Sequence, residues 1–183
     1  MRTLFIAATL LLPGLVLAAP PKGTPMPHGL LFNLDCTDFF YHHRIAEGVD
    51  GGAVLDQYVD IIADAGAAVL LINTNARKTN CASAVWETFW DGYDPAGPDD
   101  QPFLVAIPAA DRPTYRPMIH SMWALDAQGV DYPARIAARC RARGVSPWIT
   151  LRMNDVHFND DLSHPFHGKL WRDPKFHRGG SMG

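Results

Sequence analysis

Apolar residues gather in three short continuous runs, and between those runs they recur at helical spacing. Gly29-Leu-Leu-Phe-Asn-Leu34, Ala68-Val-Leu-Leu-Ile-Asn73 and Pro147-Trp-Ile-Thr-Leu151 read as strands buried on both faces. After the first, Val54, Leu55, Tyr58, Val59, Ile61 and Ile62 fall at helical spacing, with Asp56, Asp60 and Asp64 on the opposite face. Asp50-Gly51-Gly52 caps that helix and Gly66 stops it. Two further helices are predicted, over about 116–128 and 133–143, the second ending at Gly144. Arg139, Arg141 and Arg143 stand near its C-terminal end, where cations suit the helix dipole. The order strand, helix, strand, helix, strand predicts a parallel sheet with right-handed crossovers. Residues 74–114 read as one long ordered loop rich in Pro, Gly, Asp and aromatics. Beyond Met153 the chain turns polar, with His157, His164, His167 and His177.

The start of the chain follows a different pattern. Arg2, the apolar stretch Leu4 to Leu17 and the small-residue end Val16-Leu17-Ala18 predict a secretory signal peptide over 1–18. Residues 19–28 hold four prolines and a glycine and read as an extended leader, which leaves 29–183 for the folded domain. The expected location is therefore secreted or periplasmic, with no membrane association after cleavage. Sixteen basic residues against nineteen acidic ones exclude the basic stripe of a nucleic-acid binder. Seventeen of the acids are Asp, leaving Glu47 and Glu87 alone of their kind. Three cysteines allow at most one internal bridge. If one forms, Cys36 with Cys81 is the better pair, since both follow predicted strands, while Cys140 lies on an apolar helix face.

In parallel α/β folds, ligand-binding residues collect past the C-terminal ends of the strands. The first strand leads to Asp35, Thr37, Asp38, Phe39, Phe40, Tyr41, His42 and His43. Asn73, Asn75, Arg77, Lys78 and Asn80 follow the second, and Arg152, Asn154, Asp155 and His157 the third. Asp, Asn and Arg at one sheet edge suit a polyhydroxylated ligand, because they hydrogen-bond vicinal hydroxyls in pairs. Trp86-Glu-Thr-Phe-Trp90-Asp-Gly-Tyr93-Asp94 offers aromatic faces on which a sugar would stack, or else a loop tucked over its own hydrophobic cluster. Metal chemistry is the competing reading: Asp35, His42, Asp155 and His157 are suitable ligand types for a metal-dependent hydrolase. Neither H-x-H nor H-E-x-x-H occurs, so no metal site is assigned. The absence of G-x-G-x-x-G, G-x-x-x-x-G-K-[ST] and G-x-S-x-G leaves no cofactor to expect and no nucleophile elbow.

Four stretches carry a family likeness: Phe32-Asn-Leu-Asp35-Cys-Thr-Asp38-Phe-Phe, Asn75-Ala-Arg77-Lys-Thr-Asn80, Trp86-Glu-x-Phe-Trp90-Asp-Gly-Tyr-Asp-Pro95 and Gly144-Val-Ser-Pro-Trp148-Ile-x-x-Arg152-Met-Asn154-Asp155-Val-His157. They resemble the N-terminal part of secreted bacterial glycoside-hydrolase-like (β/α)8-barrel proteins. The resemblance implies a partial TIM barrel of about three βα units with a carbohydrate-binding rim. On that rim it places Asp35, Asp38, Asn75, Arg77, Arg152, Asn154, Asp155 and His157, with Trp86 and Trp90 as further substrate contacts. At 183 residues the chain falls short of the roughly 250 of a typical barrel, so the resemblance implies truncation before the strands that commonly carry the catalytic carboxylates. No catalytic acid or nucleophile is carried over, and turnover is not expected of this chain alone; were it to hydrolyse glycosides, Asp38 with Asp155 would be the pair. A carbohydrate-binding or scaffold domain without catalysis is the alternative. Open strand edges imply self-association.

Overall fold

A computed structural model of the chain describes residues 29–152, 155, 157–173 and 175. The signal and leader segments, Asn154, His177 and the last eight residues lie outside them. The three apolar runs form strands β1 (Leu30–Leu34), β2 (Ala67–Asn73) and, after a small hairpin and two helices, β5 (Ser146–Thr150). They build one parallel sheet in the order β1-β2-β5. The register pairs Leu34 with Ile72 and Ile72 with Ile149. The chain is thus an α/β fold of about three βα units.

Between β1 and β2 run α1 (Asp38–His42) and α2 (Gly51–Asp64). The Asp50 carboxylate accepts from the Ala53 amide at 3.0 Å and so caps α2. Gly66, at φ +85°, provides the left-handed turn into β2. Segment 74–114 is not one open loop. It begins with a hairpin of β3 (Asn75–Ala76) and β4 (Lys78–Thr79), and α3 (Arg112–Ala127) starts earlier than its apolar spacing predicts, at Arg112-Pro113. After it comes α4 (Tyr132–Ala142), capped by Asp131 accepting from Ala134 at 3.0 Å. A single turn, α5 (Lys169–Arg172), lies in the C-terminal segment.

Alternation in the sheet decides what is covered. Leu34, Leu70 and Ile72 join the core with Leu55, Val59, Met118, Ile136 and Cys140 from the helices, and Phe32 packs against it. On the other face Leu31 and Trp148 remain 44% and 46% exposed. Both outer strands pair on one side only, and Leu30 and Ile149 on them are more than half exposed. Helices α2 and α4 are also joined by charge. Asp56 receives Arg135 (2.7 Å), Asp60 receives Arg139 (2.5 Å) and Arg143 (2.7 Å), and Asp64 receives Arg143 (2.5 Å). The arginines of α4 therefore serve a ladder to the neighbouring helix and not only the helix dipole. Among the described residues no helix is long and apolar enough to cross a membrane.

Candidate functional site

The C-terminal strand ends meet through two polar residues. Asn75, 1% exposed, accepts from the Arg152 amide at 3.0 Å and donates from Nδ2 to the Arg152 carbonyl at 3.4 Å. That pairing locks the end of β5 to the hairpin after β2. The Arg152 guanidinium then reaches Asp35, past the end of β1, at 2.7 Å and lies 3.8 Å from Asp155. Asp155 holds His157 twice, accepting from its amide at 3.0 Å and from Nδ1 at 2.5 Å. A chain Asp35–Arg152–Asp155–His157 results, spanning loops from the first and third strands.

Asp155 is the inner member, its side chain 6% exposed. Burial alone would raise its pKa, but the His157 amide and ring, with Arg77 nearby, outweigh burial and hold it below the ordinary carboxylate range. Burial likewise opposes the charge on Arg152, and the hydrogen bond to Asp35 overcomes it and raises that group. Around the chain opens a cavity of about 230 Å³, walled by Tyr41, Tyr115, Phe158 and Phe166. Burial, then a hydrogen bond with Tyr115, pushes the Tyr41 phenol up, so it stays a neutral donor.

Arg77 closes the site from the side. It forms the apex of the β3–β4 hairpin at φ +72°, a left-handed conformation unusual for a residue with a Cβ. Its guanidinium is bound by the ring of His167, the Asp155 carbonyl and the Asn159 side chain, and lies 4.1 Å from the Trp171 ring centroid. His167 is fully buried and its Nε2 is 2.8 Å from the Phe158 carbonyl. Segment 157–173 is thus fastened beside the cavity, to which it contributes Phe158 and Phe166. The aromatic loop braces this clasp: Trp86 Nε1 donates to the Arg77 carbonyl at 2.9 Å, and the Glu87 carboxylate accepts from the Lys169 amide. Gly168 passes so near that a Cβ there would stand 3.0 Å from both the Arg77 carbonyl and the Glu87 carboxylate.

Of the sequence candidates, Asp35, Arg77, Arg152, Asp155 and His157 line the cavity, and Asn75 stands behind it. Asp38 opens α1 with its carboxylate 3.6 Å from His42, outside the cavity walls. Trp86 is half-buried along a separate broad groove with Glu87, Asp91 and Lys169, while Trp90 is 8% exposed and belongs to the core. Asn154 lies outside the described residues. Tyr115, Phe158 and Phe166 are cavity residues that the sequence does not single out, whereas Tyr41 belongs to the cluster expected after the first strand and His167 to the four C-terminal histidines, with no role expected for it. Among the described residues no three His, Cys, Asp or Glu side chains are grouped to hold a metal ion, and His43 is stacked on Phe39. All three cysteines carry free thiols, including Cys36 and Cys81. No protein-family model and no curated protein matches the chain.

Proposed function

We propose that the cavity at the C-terminal edge of the sheet binds a sugar, and that the chain is the carbohydrate-recognising part of a glycoside-hydrolase-like α/β fold that does not cleave glycosides by itself. The observation that carries this reading is the Asp35–Arg152–Asp155–His157 chain set against four aromatic walls. Carboxylates and imidazole supply paired hydrogen bonds to hydroxyls, and rings supply faces for the apolar side of a pyranose. At about 230 Å³ the cavity is smaller than the roughly 300–1,000 Å³ of drug-sized sites, which favours one ring over a long oligosaccharide.

The electrostatics speak against Asp155 as the acid of a glycosidase pair. A glycosidase acid must be held protonated, with its pKa raised. Asp155 is shifted the other way and is engaged by His157. Export is part of the same proposal, supported by Arg2, the apolar run to Leu17 and Ala18. The test is a calorimetric titration of the chain with neutral mono- and disaccharides, beside a reducing-sugar assay. Binding at up to millimolar concentration, weakened in Asp155→Asn and without hydrolysis, is expected. No binding by any sugar overturns the site, and hydrolysis abolished in Asp155→Asn overturns the non-catalytic reading.

A further inference from the structure

Segment 157–173 supplies two of the four aromatic walls of the cleft, Phe158 and Phe166, and one residue fastens both. His167 follows Phe166 directly, and its ring holds the Phe158 carbonyl. On its other side the ring meets the Arg77 guanidinium of the β3–β4 hairpin. The Trp171 ring stacks on it, with centroids 5.5 Å apart, and the residue is fully buried.

Such a setting suits a neutral ring only. Between a guanidinium and a carbonyl, a neutral imidazole accepts from the first and donates to the second. A proton added on the side of Arg77 sets donor against donor and one positive charge against another. Arg172 of α5 adds to the repulsion, and so does His164 of the same segment once it is charged. The Phe158 carbonyl and the Asp161 backbone favour the charged ring, but the Asp161 carboxylate is engaged by the Ser163 amide and hydroxyl. Among the described residues only His42 and His157 lie within ion-pair reach of a carboxylate. A proton on His167 is therefore a buried charge without a counter-charge, which the segment relieves by leaving Arg77. While the ring is neutral, Phe166 packed on Phe89, Phe103 and Tyr115 keeps the segment in place.

We propose that His167 is an acid-sensitive latch: its protonation frees segment 157–173 from Arg77, withdraws Phe158 and Phe166 from the cavity and so lowers the affinity of the cavity for its ligand. The effect on affinity rests on sugar as that ligand, whereas the release of the segment does not. Arg77 makes the movement concerted, because the same guanidinium also binds the Asp155 carbonyl and the Asn159 side chain. The Asp35–Arg152–Asp155–His157 chain loses two apolar walls when the segment leaves and keeps its polar groups, so what acid removes is the surface on which a sugar ring stacks.

Hydrogen exchange of the full chain at about pH 7.5 and about pH 5, corrected for the intrinsic effect of pH on amide exchange, tests the latch without a ligand. A proton bound by the released form alone raises its share by up to about tenfold per pH unit. Peptides covering 157–173 are expected to lose about tenfold in protection at the lower pH, while those of β2 and α2 keep theirs. His167→Gln, which still accepts from Arg77 and cannot titrate, is expected to abolish the difference. Arg77→Ala stands in if that variant does not fold, and leaves the segment unprotected at both pH values. No loss at the lower pH, an equal loss throughout the chain, the same loss in His167→Gln, or a segment still protected in Arg77→Ala overturns the latch. Calorimetric titrations with neutral mono- and disaccharides follow the affinity. It is expected to be lower at pH 5 in the unaltered chain and the same at both pH values in His167→Gln. Equal affinity at both pH values in the unaltered chain overturns the coupling of latch to cavity. Binding of no sugar at either pH overturns sugar as the ligand, and the coupling with it, while the exchange result decides the latch separately.

Discussion

Nη1 of Arg77 lies 2.5 Å from Nδ1 of His167, a guanidinium hydrogen bond to a ring nitrogen that is able to accept only while it carries no proton. The other ring nitrogen donates to the Phe158 carbonyl at 2.8 Å, which completes the pattern of a neutral imidazole. Burial, and then the positive Arg77, hold the His167 pKa below the ordinary 6.5.

A pH dependence follows from that pair. The folded chain binds the His167 proton less readily than the unfolded chain, so the stability gained is complete above about pH 6.5 and is lost as pH falls below it toward the folded value. His164, stacked on Phe158 and likewise shifted down by burial, acts in the same direction. Asp161 opposes both, through its negative charge at His164 and through its backbone at His167, and Arg172 and Asp155 complete the charges around the clasp. Thermal melts from pH 8 to pH 4.5 are expected to fall through the acid half of that range. His167→Gln, which keeps an acceptor but cannot titrate, flattens the slope by more than His164→Gln does.

Removing the arginine tests the clasp directly. Arg77→Ala strips hydrogen bonds to a buried charge and is expected to cost about 3 kcal/mol. It also exposes segment 157–173 to limited proteolysis. Arg77→Gly makes the same deletion but fits the left-handed backbone at φ +72°, so it is expected to be about 1 kcal/mol less harmful than the alanine variant. Equal losses in chemical denaturation would show that the backbone at Arg77 carries no strain.

The two tryptophans of the aromatic loop should separate. Trp90, 8% exposed, is part of the core, and Trp90→Ala is expected to cost about 3–5 kcal/mol and to lower every activity through unfolding. Trp86 is half-buried, with one hydrogen bond to the Arg77 carbonyl, and Trp86→Ala is expected to cost about 1–2 kcal/mol. Denaturation curves of both variants beside their sugar titrations check this. Loss of sugar binding in Trp90→Ala without loss of stability would place a ligand on the core tryptophan.

The ladder between α2 and α4 is expected to be most sensitive at its middle. Asp60 accepts from two arginines, first Arg139 and then Arg143, and its pKa is lowered to about 2. Its contribution is therefore present above about pH 4 and is lost as the pH falls toward 2. Asp60→Asn lowers the melting temperature more than Asp56→Asn or Asp64→Asn, and added salt narrows the difference.

The strands and the long helices could be read from the sequence because their signals are local: continuous apolar runs, the cap at Asp50, and glycines at 66 and 144. The start of α3 was misplaced because Pro117 resembles a first-turn proline, when Pro113 holds that position. The β3–β4 hairpin was hidden because its turn residue is Arg77, and nothing in a sequence marks an arginine for positive φ. His167 was passed over for a different reason. Its order comes from a side chain 90 residues away, and the segment around it has no apolar period of its own. Five of the rim candidates do line one cavity, because positions just past parallel strand ends share a neighbourhood. Trp90 shows the limit of composition, since an aromatic-rich loop has the same letters whether it faces solvent or the core.

The charged ladder also bears on how the two helices know their place. Asp56, Asp60 and Asp64 repeat every four residues, as do Arg135, Arg139 and Arg143. Such a comb is nearly indifferent to a shift of one helical turn, about 5.4 Å, which would still leave two of its teeth engaged. It can tell the helices to run side by side, but not where to stop. The stopping point comes from the few residues joining α2 to β2 and α4 to β5, which tie each helix to a strand whose partner is fixed residue by residue, Val69 to Ser146 and onward. Lengthening either turn by a single residue would therefore disturb the pairing of these charges more than exchanging Asp and Arg wholesale between the two helices.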